Sequence, residues 1–453
     1  MDRIFERVLE DIKPTEEEVA IETNQANEIV NRLRRVVPRD VEIRVVGSLA
    51  HGTNLRGASD IDVFLLFDKK KAKSTITKEG LEYARKITGK NDHIEIKYAE
   101  HPYARVYFGA LNAEADIVPA YKIENIEEMA TAVDRSPMHS EFILTHLTEK
   151  QKDEVRLLKQ FMKAHGLYGA EVFTGGFSGY LCELLVYHAS SFVGVMNLFA
   201  KASLPLLLVN GEGRIVDESR VKEIVEKFKS QFVVVDPVDP NRNVASPVSI
   251  ESLAKFVALA RQFIDKPSIK AFYGTGFAHD LARYKIKELM KMSGMDFFVL
   301  SVRLPDKSED ILWPQLRRVS EQIKAFVEQY GFSLPIALQT IHARTGILLF
   351  CSYRQELRSR FVKGPSVFLA DAFGAFIKSH KRALGITFVK DSVFALEPNR
   401  FATVKDALRY VASGKMSKKH KDVPISGAKL YVNRIPEDYI DAVYAELLRL
   451  LKP

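Results

Sequence analysis

The chain of 453 residues has only two cysteines, Cys182 and Cys351. Both sit in apolar surroundings, far apart in sequence. A disulfide framework and a four-cysteine zinc site are therefore excluded, and a reducing, cytoplasmic setting is expected. No apolar run reaches the roughly 20 residues needed to cross a bilayer, so no membrane association is expected. The opening MDRIFERVLEDIK alternates acid and base and lacks the apolar h-region of a secretory signal. Fixed-period repeats and low-complexity tracts are also missing. Acid is the scarcer charge: 58 Asp and Glu stand against 66 Lys and Arg, a formal +8 at pH 7. That excess favours a polyanionic partner as a bias, although an ordinary basic enzyme can share it. The 46% hydrophobic and 27% charged composition is that of a soluble globular chain. Its length suits two to four domains.

Local patterns divide the chain. In PTEEE (14–18), Thr15 caps a helix and Glu18 completes a capping box. That helix should end near Pro38, with Arg32, Arg34 and Arg35 in its last turns. VEIRVVG, DIDVFLLF, HIEIKYAE (93–100), ARVYFGAL (104–111) and AEADIVPAY (113–121) read as strands. Helices follow: 153–169 with a glycine stop, a single long apolar helix over 178–202, and 251–267 ended by proline. From 296 onward a strand, an amphipathic helix over 313–331 and two further strands resemble part of a ferredoxin-like sandwich. VFLADAFGAFIKSHKR and the closing PEDYIDAVYAELLRLL read as helices.

The chemistry is concentrated in VVGSLAHGTNLRGASDIDVFLLF (45–67). Residues two apart on a strand share a face, so Asp60 and Asp62 lie together, opposite Ile61 and Val63. Like charges so close on an apolar strand are unfavourable without a cation between them. The plain alternative places both at a solvated strand end. Ahead of them, Gly47 and Ser48 can turn backbone N–H groups and a hydroxyl toward an anion. Hard cations such as Mg2+ take a few carboxylates plus phosphate oxygens. Asp116, poised before Ile117 and Val118, is the leading third acid. Glu95 is weaker, because Lys97 lies on its own face and can pair with it.

Gly-Ser, eleven residues, then Asp-Ile-Asp before an apolar run resembles the signature of the polymerase-β-type nucleotidyltransferase superfamily. Four further stretches, MATAVDRSPMHSEFI (129–143), VRLLKQFMKAHGLYGAE (155–171), FSGYLCELL (177–185) and VVDPVDPNRNVA (234–245), together resemble the archaeal-type, class I CCA-adding enzymes. The resemblance implies an α+β multidomain chain. It comprises a nucleotidyltransferase head with a mixed sheet (1–147), a helical neck binding base and triphosphate (148–265), a ferredoxin-like α/β body (266–359) and a tail with the C-terminal part (360–453). The last two would bind tRNA. It also implies that Asp60, Asp62 and Asp116 are catalytic and hold Mg2+. Gly47, Ser48, His139, Lys159, Tyr168 and Arg242 would then bind the nucleotide, with Arg242 at its base. Asp236 and Asp239 read as caps of a proline turn. Expected partners are tRNA, CTP and ATP, and a homodimer is left open. The basic runs KKKAK (69–73) and SGKMSKKHK (413–421) are candidates for RNA phosphates or plain solvated faces. No tail motif for gripping tRNA is recognisable.

Two other functions fit a similar head: a poly(A) or oligoadenylate-type transferase, and an inert RNA-binding relative. DPVDPNRNVA and the long C-terminal part disfavour the first. Retention of all three acids disfavours the second.

Overall fold

The computed structural model describes residues 1–57, 60–98, 102–171, 174–208, 218–273, 294–416, 423–440 and 442–443. It forms two compact units, Met1–Thr275 and Gly276–Pro453. The expected α+β multidomain architecture is what it displays. Among the described residues no single helix is long and apolar enough to cross a membrane.

The first unit begins with α1 (Asp2–Ile12) and α2 (Glu16–Arg34). Thr15 and Glu18 make the anticipated capping box at the start of α2. There follow β1 (Glu42–Val46), α3 (Gly47–His51), β2 (Ile61–Phe67), α4 (Lys73–Ile87), β3 (His93–Tyr98), β4 (Pro102–Phe108) and β5 (Ala113–Tyr121). The sheet order is β1-β2-β5-β4-β3. Only β2 and β5 run parallel; the other neighbours are antiparallel. Strand alternation sorts the side chains. Ile61, Val63, Leu65 and Phe67 pack against Ile29 and Leu33 of α2 and Ile76 and Ala84 of α4. Phe64 and Leu66 join Val118 and Ala120 on the other face. Asp62 and Asp116 belong, by parity, to this second face.

The helical part contains α5 (Ser136–His146), α6 (Glu149–Ala164), α7 (Gly179–Ala189), α8 (Phe192–Ala200), β6 (Leu206–Leu208), α9 (Glu218–Phe228), β7 (Phe232–Val234) and α10 (Ile250–Asp265). Its core is aromatic: Phe161, Phe192, Phe263 and Phe272 meet edge to face or tilted. Val8 and Ile12 of α1 are buried in this same core, so the first helix of the chain packs with the neck rather than with the head sheet. The long helix expected over 178–202 is two, meeting at 88°. Ser190 takes the left-handed conformation (φ 65°) that ends α7, and Ser191 caps α8 by accepting from Gly194 N–H. A side chain at Gly194 would collide with the Ala189 carbonyl, so glycine permits the sharp corner.

In the second unit, β8 (Met295–Arg303), α11 (Glu309–Glu328), β9 (Ile336–His342) and β10 (Thr345–Tyr353) are followed by β11 (Ser359–Ser366), α12 (Ala370–Ser379), β12 (Gly385–Val389) and β13 (Ser392–Pro398). Then come α13 (Val404–Ala412) and β14 (Lys429–Val432). One antiparallel sheet has the order β14-β8-β10-β9, the other β11-β13-β12. The first, with α11 and α13, is a complete split β-α-β ferredoxin-like layout. Its second half returns only after the smaller sheet has been inserted, so body elements continue beyond residue 359. Leu316, Val319 and Ile323 of α11 and Leu408 and Val411 of α13 share its core with Leu300 and Leu348. The closing 436–451 segment and the 413–421 basic run lie partly outside the described residues.

Candidate active site

The second face of the head sheet opens on a cavity of about 330 Å³. It is lined by Gly47, Ser48, Asp62, His139, Lys159 and Tyr168, with Tyr180 and Glu183 beside them. Six of the nine expected site residues thus meet in one cleft. GSLAH forms the short helix α3, with Gly47 at φ 79°. A Cβ at Gly47 would collide with Asp62 Oδ2, so this position needs glycine both for its dihedral and for the close approach.

Asp62 and Asp116 are register partners across the parallel β2–β5 pair. Asp60 leads into β2 and is exposed. Burial pushes the Asp62 carboxyl up to about 7, and the charges of Asp116 and Asp60 add to the effect. Arg105 opposes this in part. Arg105 faces Asp116 in register on β4 and donates from Nε and Nη2 to its two oxygens, each at 2.7 Å. Among the described residues no three His, Cys, Asp or Glu side chains are already gathered as a metal cluster. The donor set nevertheless fits a hard divalent cation: carboxyl oxygens on neighbouring strands, one of them on Asp62, raised first by burial and then by the charges of Asp116 and Asp60, which a cation would offset. Glu95 accepts from Lys97 Nζ at 2.8 Å and does not line the cavity.

The opposite wall comes from the neck. Lys159, fully buried on α6, donates to Thr53 Oγ1 at 3.0 Å and lies 3.4 Å from Glu183 Oε1. Glu183 also accepts from Thr53 Oγ1 at 2.5 Å and His51 Nδ1 at 3.2 Å. Burial works against its charge, but Lys159 and these donors outweigh that and hold it down at about 2. Burial raises the Tyr168 hydroxyl above its ordinary value, so it stays protonated and can donate. Arg242 lies outside the cavity lining. It reaches the cleft through Asp236 and Tyr180, its guanidinium 5.9 Å over the Tyr180 ring.

Arg105, Glu183, Thr53, His51 and Tyr180 escaped sequence reasoning. Arg105 alone had a usable signal, since its strand neighbours the Asp116 strand. In the KKKAK run, Lys69 pairs with Glu128 and Lys71 with Glu79, at 2.6 and 2.8 Å, as a solvated face would.

A strand-borne acid pair beside a glycine turn, facing a helical wall that carries a buried, paired lysine, defines a nucleotidyltransferase of the polymerase-β type. A family profile described as "Nucleotidyltransferase domain" accordingly matches residues 26–147. Profiles for "tRNA nucleotidyltransferase, second domain" and "CCA-adding enzyme, C-terminal domain" match 153–273 and 293–423. The CCA-adding enzyme of Methanocaldococcus jannaschii is 33% identical over 92% of each chain. That of Pyrococcus abyssi is 34% identical over 98% of each. The chain belongs to the archaeal-type CCA-adding enzymes, the tRNA nucleotidyltransferases. A solved Cid1 poly(U) polymerase overlays with TM-score 0.48 and 16% identity, covering 60% of this chain and 98% of that one, too remote to carry function.

Proposed function

We propose that this chain adds C, C and A to the 3′ end of tRNA from CTP and ATP without a nucleic-acid template, using the cleft between β2–β5 and the neck. The observation that carries the reading is the Asp62–Asp116 register beside Gly47 and the buried Lys159. Mg2+ bound by Asp60, Asp62 and Asp116 would supply neutralising charge to the triphosphate and acidify the RNA 3′-hydroxyl. Gly47 lets the triphosphate approach the backbone of α3. Lys159 exchanges part of its bonding to Glu183 and Thr53 for phosphate oxygens, and the Tyr168 hydroxyl donates to one of them. His139 contacts the same triphosphate, and the Arg242 fork reads acceptors on the base. The 3′-oxygen attacks the α-phosphorus in line, the bond to the bridging oxygen breaks, and pyrophosphate leaves. Arg105 must share Asp116 or release it for that carboxylate to reach a cation.

We assign catalysis to residues 1–147 and nucleotide selection to 148–265. The tRNA grip falls to 266–359 and 360–453. The test supplies Mg2+, tRNA lacking its last three nucleotides, and CTP and ATP singly and together. Incorporation of C from CTP, with A only after two C residues and nothing further, supports the reading. Long A tails from ATP alone overturn it in favour of a poly(A)-type enzyme.

A further inference from the structure

Asp236 follows β7 at the start of the DPVDPNRNVA turn, and its side chain is wholly buried. A buried carboxylate needs partners, and this one has four. Oδ2 accepts from His139 Nε2 and from Arg242 Nη1, both at 2.8 Å. Oδ1 accepts from the Tyr180 hydroxyl at 3.2 Å and from the Val238 N–H at 3.0 Å. The His139 ring stacks on Tyr180 with centroids 4.2 Å apart. Capping of the turn uses only the Val238 bond. The other three reach side chains on α5, on α7 and at the far end of the turn.

An ionised carboxylate only accepts, so Nε2 of His139 carries a proton and Nδ1 is the nitrogen left for a ligand. Burial lowers the His139 imidazole below its ordinary value; of the charged groups facing it, Asp236 favours its cation, and Arg242 and Arg135 add to the lowering. A single oxygen therefore holds both the residue assigned to the triphosphate and the residue assigned to the base. When a base draws Arg242 away, His139 becomes the chief partner of that oxygen. Its charge is then better supported, and it grips phosphate more firmly.

We propose that Asp236 is a positioning residue that couples base reading by Arg242 to triphosphate grip by His139, so that a matched base tightens the hold on the phosphates. The proposal rests on the roles assigned above to those two residues. Independent contacts would contribute multiplicatively to affinity, whereas a shared acceptor makes them non-multiplicative.

The experiment is a thermodynamic cycle on the full-length chain. Dissociation constants for CTP and for tripolyphosphate, which has no base, are measured by calorimetry for wild type, H139Q, R242A and the double variant. With Asp236 intact, the two substitutions should depart from multiplicative effects on CTP binding by at least about threefold. In the Asp236→Asn background, where one acceptor oxygen replaces two, the departure should vanish. Multiplicative effects with Asp236 present overturn the coupling while leaving the two roles in place, and this arm needs no Asp236 variant to fold. If R242A leaves CTP affinity unchanged, or H139Q leaves tripolyphosphate affinity unchanged, the assigned roles fall and the coupling falls with them.

Discussion

On the strand wall of the cleft, Asp62 lies beside Asp116 with Asp60 just ahead, and one basic group, Arg105, bonds Asp116 and also pairs with Glu114. On the helical wall Lys159 has Glu183, His139 and Arg242 share Asp236, and Arg135 has Asp239. One wall concentrates negative charge that its own residues do not balance. The other neutralises every ion just named internally. Under the proposed function, an external cation would relieve the self-repulsion on the strands. On the same reading, internal pairing on the helices would make a triphosphate bind by exchanging partners, with Lys159 and His139 held in place by Glu183 and Asp236 beforehand. Stability and affinity are thus divided unequally between the two walls.

The severest way to probe this contrast is to remove the central acid. Asp62→Ala should lower the rate of C addition by on the order of 10² to 10⁴. A variant within tenfold of wild type would show that the strand wall is not the reacting one. On the helical wall, Glu183→Gln leaves Lys159 buried beside a neutral partner and should cost about 3–5 kcal/mol in urea unfolding. A loss below ~1 kcal/mol would mean that the pair is not needed there. The two walls should also answer pH with opposite sign. Asp62 is raised from 3.8 to about 7, so its contribution to stability is fully present below its unfolded value and is lost as pH climbs through about 7. Glu183 is lowered from 4.5 to about 2, so its contribution is present above its unfolded value and is lost as pH falls through about 2. Unfolding curves across pH for Asp62→Asn and Glu183→Gln should each flatten one of these slopes, and equal slopes in variant and wild type would remove the contrast. The smallest effect belongs to Glu95→Ala, expected within about 0.5 kcal/mol of wild-type stability and with an unchanged rate of C addition. A tenfold fall in rate would enlarge the strand wall to include it.

Where local rules dominate, residues disclosed the structure. The capping box at Thr15, the strand faces of Asp62 and Asp116, and the Glu95–Lys97 pair all follow from spacing alone. What spacing cannot supply is which distant side chain fills a hydrogen-bonding vacancy. Asp236 reads as a turn cap because its Val238 bond is local, while His139 is 97 residues away. Arg105 reads as an ordinary strand residue until β4 is placed against β5. The corner at Ser190 and Ser191 was hidden inside an apolar run, where hydrophobic pattern does not distinguish one long helix from two bent ones. The body sheet was legible only in its first half, because an inserted sheet separates β10 from α13 and β14.

That insertion also has a consequence for biosynthesis. β8 is translated about 130 residues before β14, its neighbour in the sheet, at a separation that slows folding. Until that late strand emerges from the ribosome, β8 presents an open edge to solvent and to other nascent chains. Premature termination anywhere between the inserted sheet and Lys429 should therefore yield an aggregation-prone product rather than a shorter enzyme.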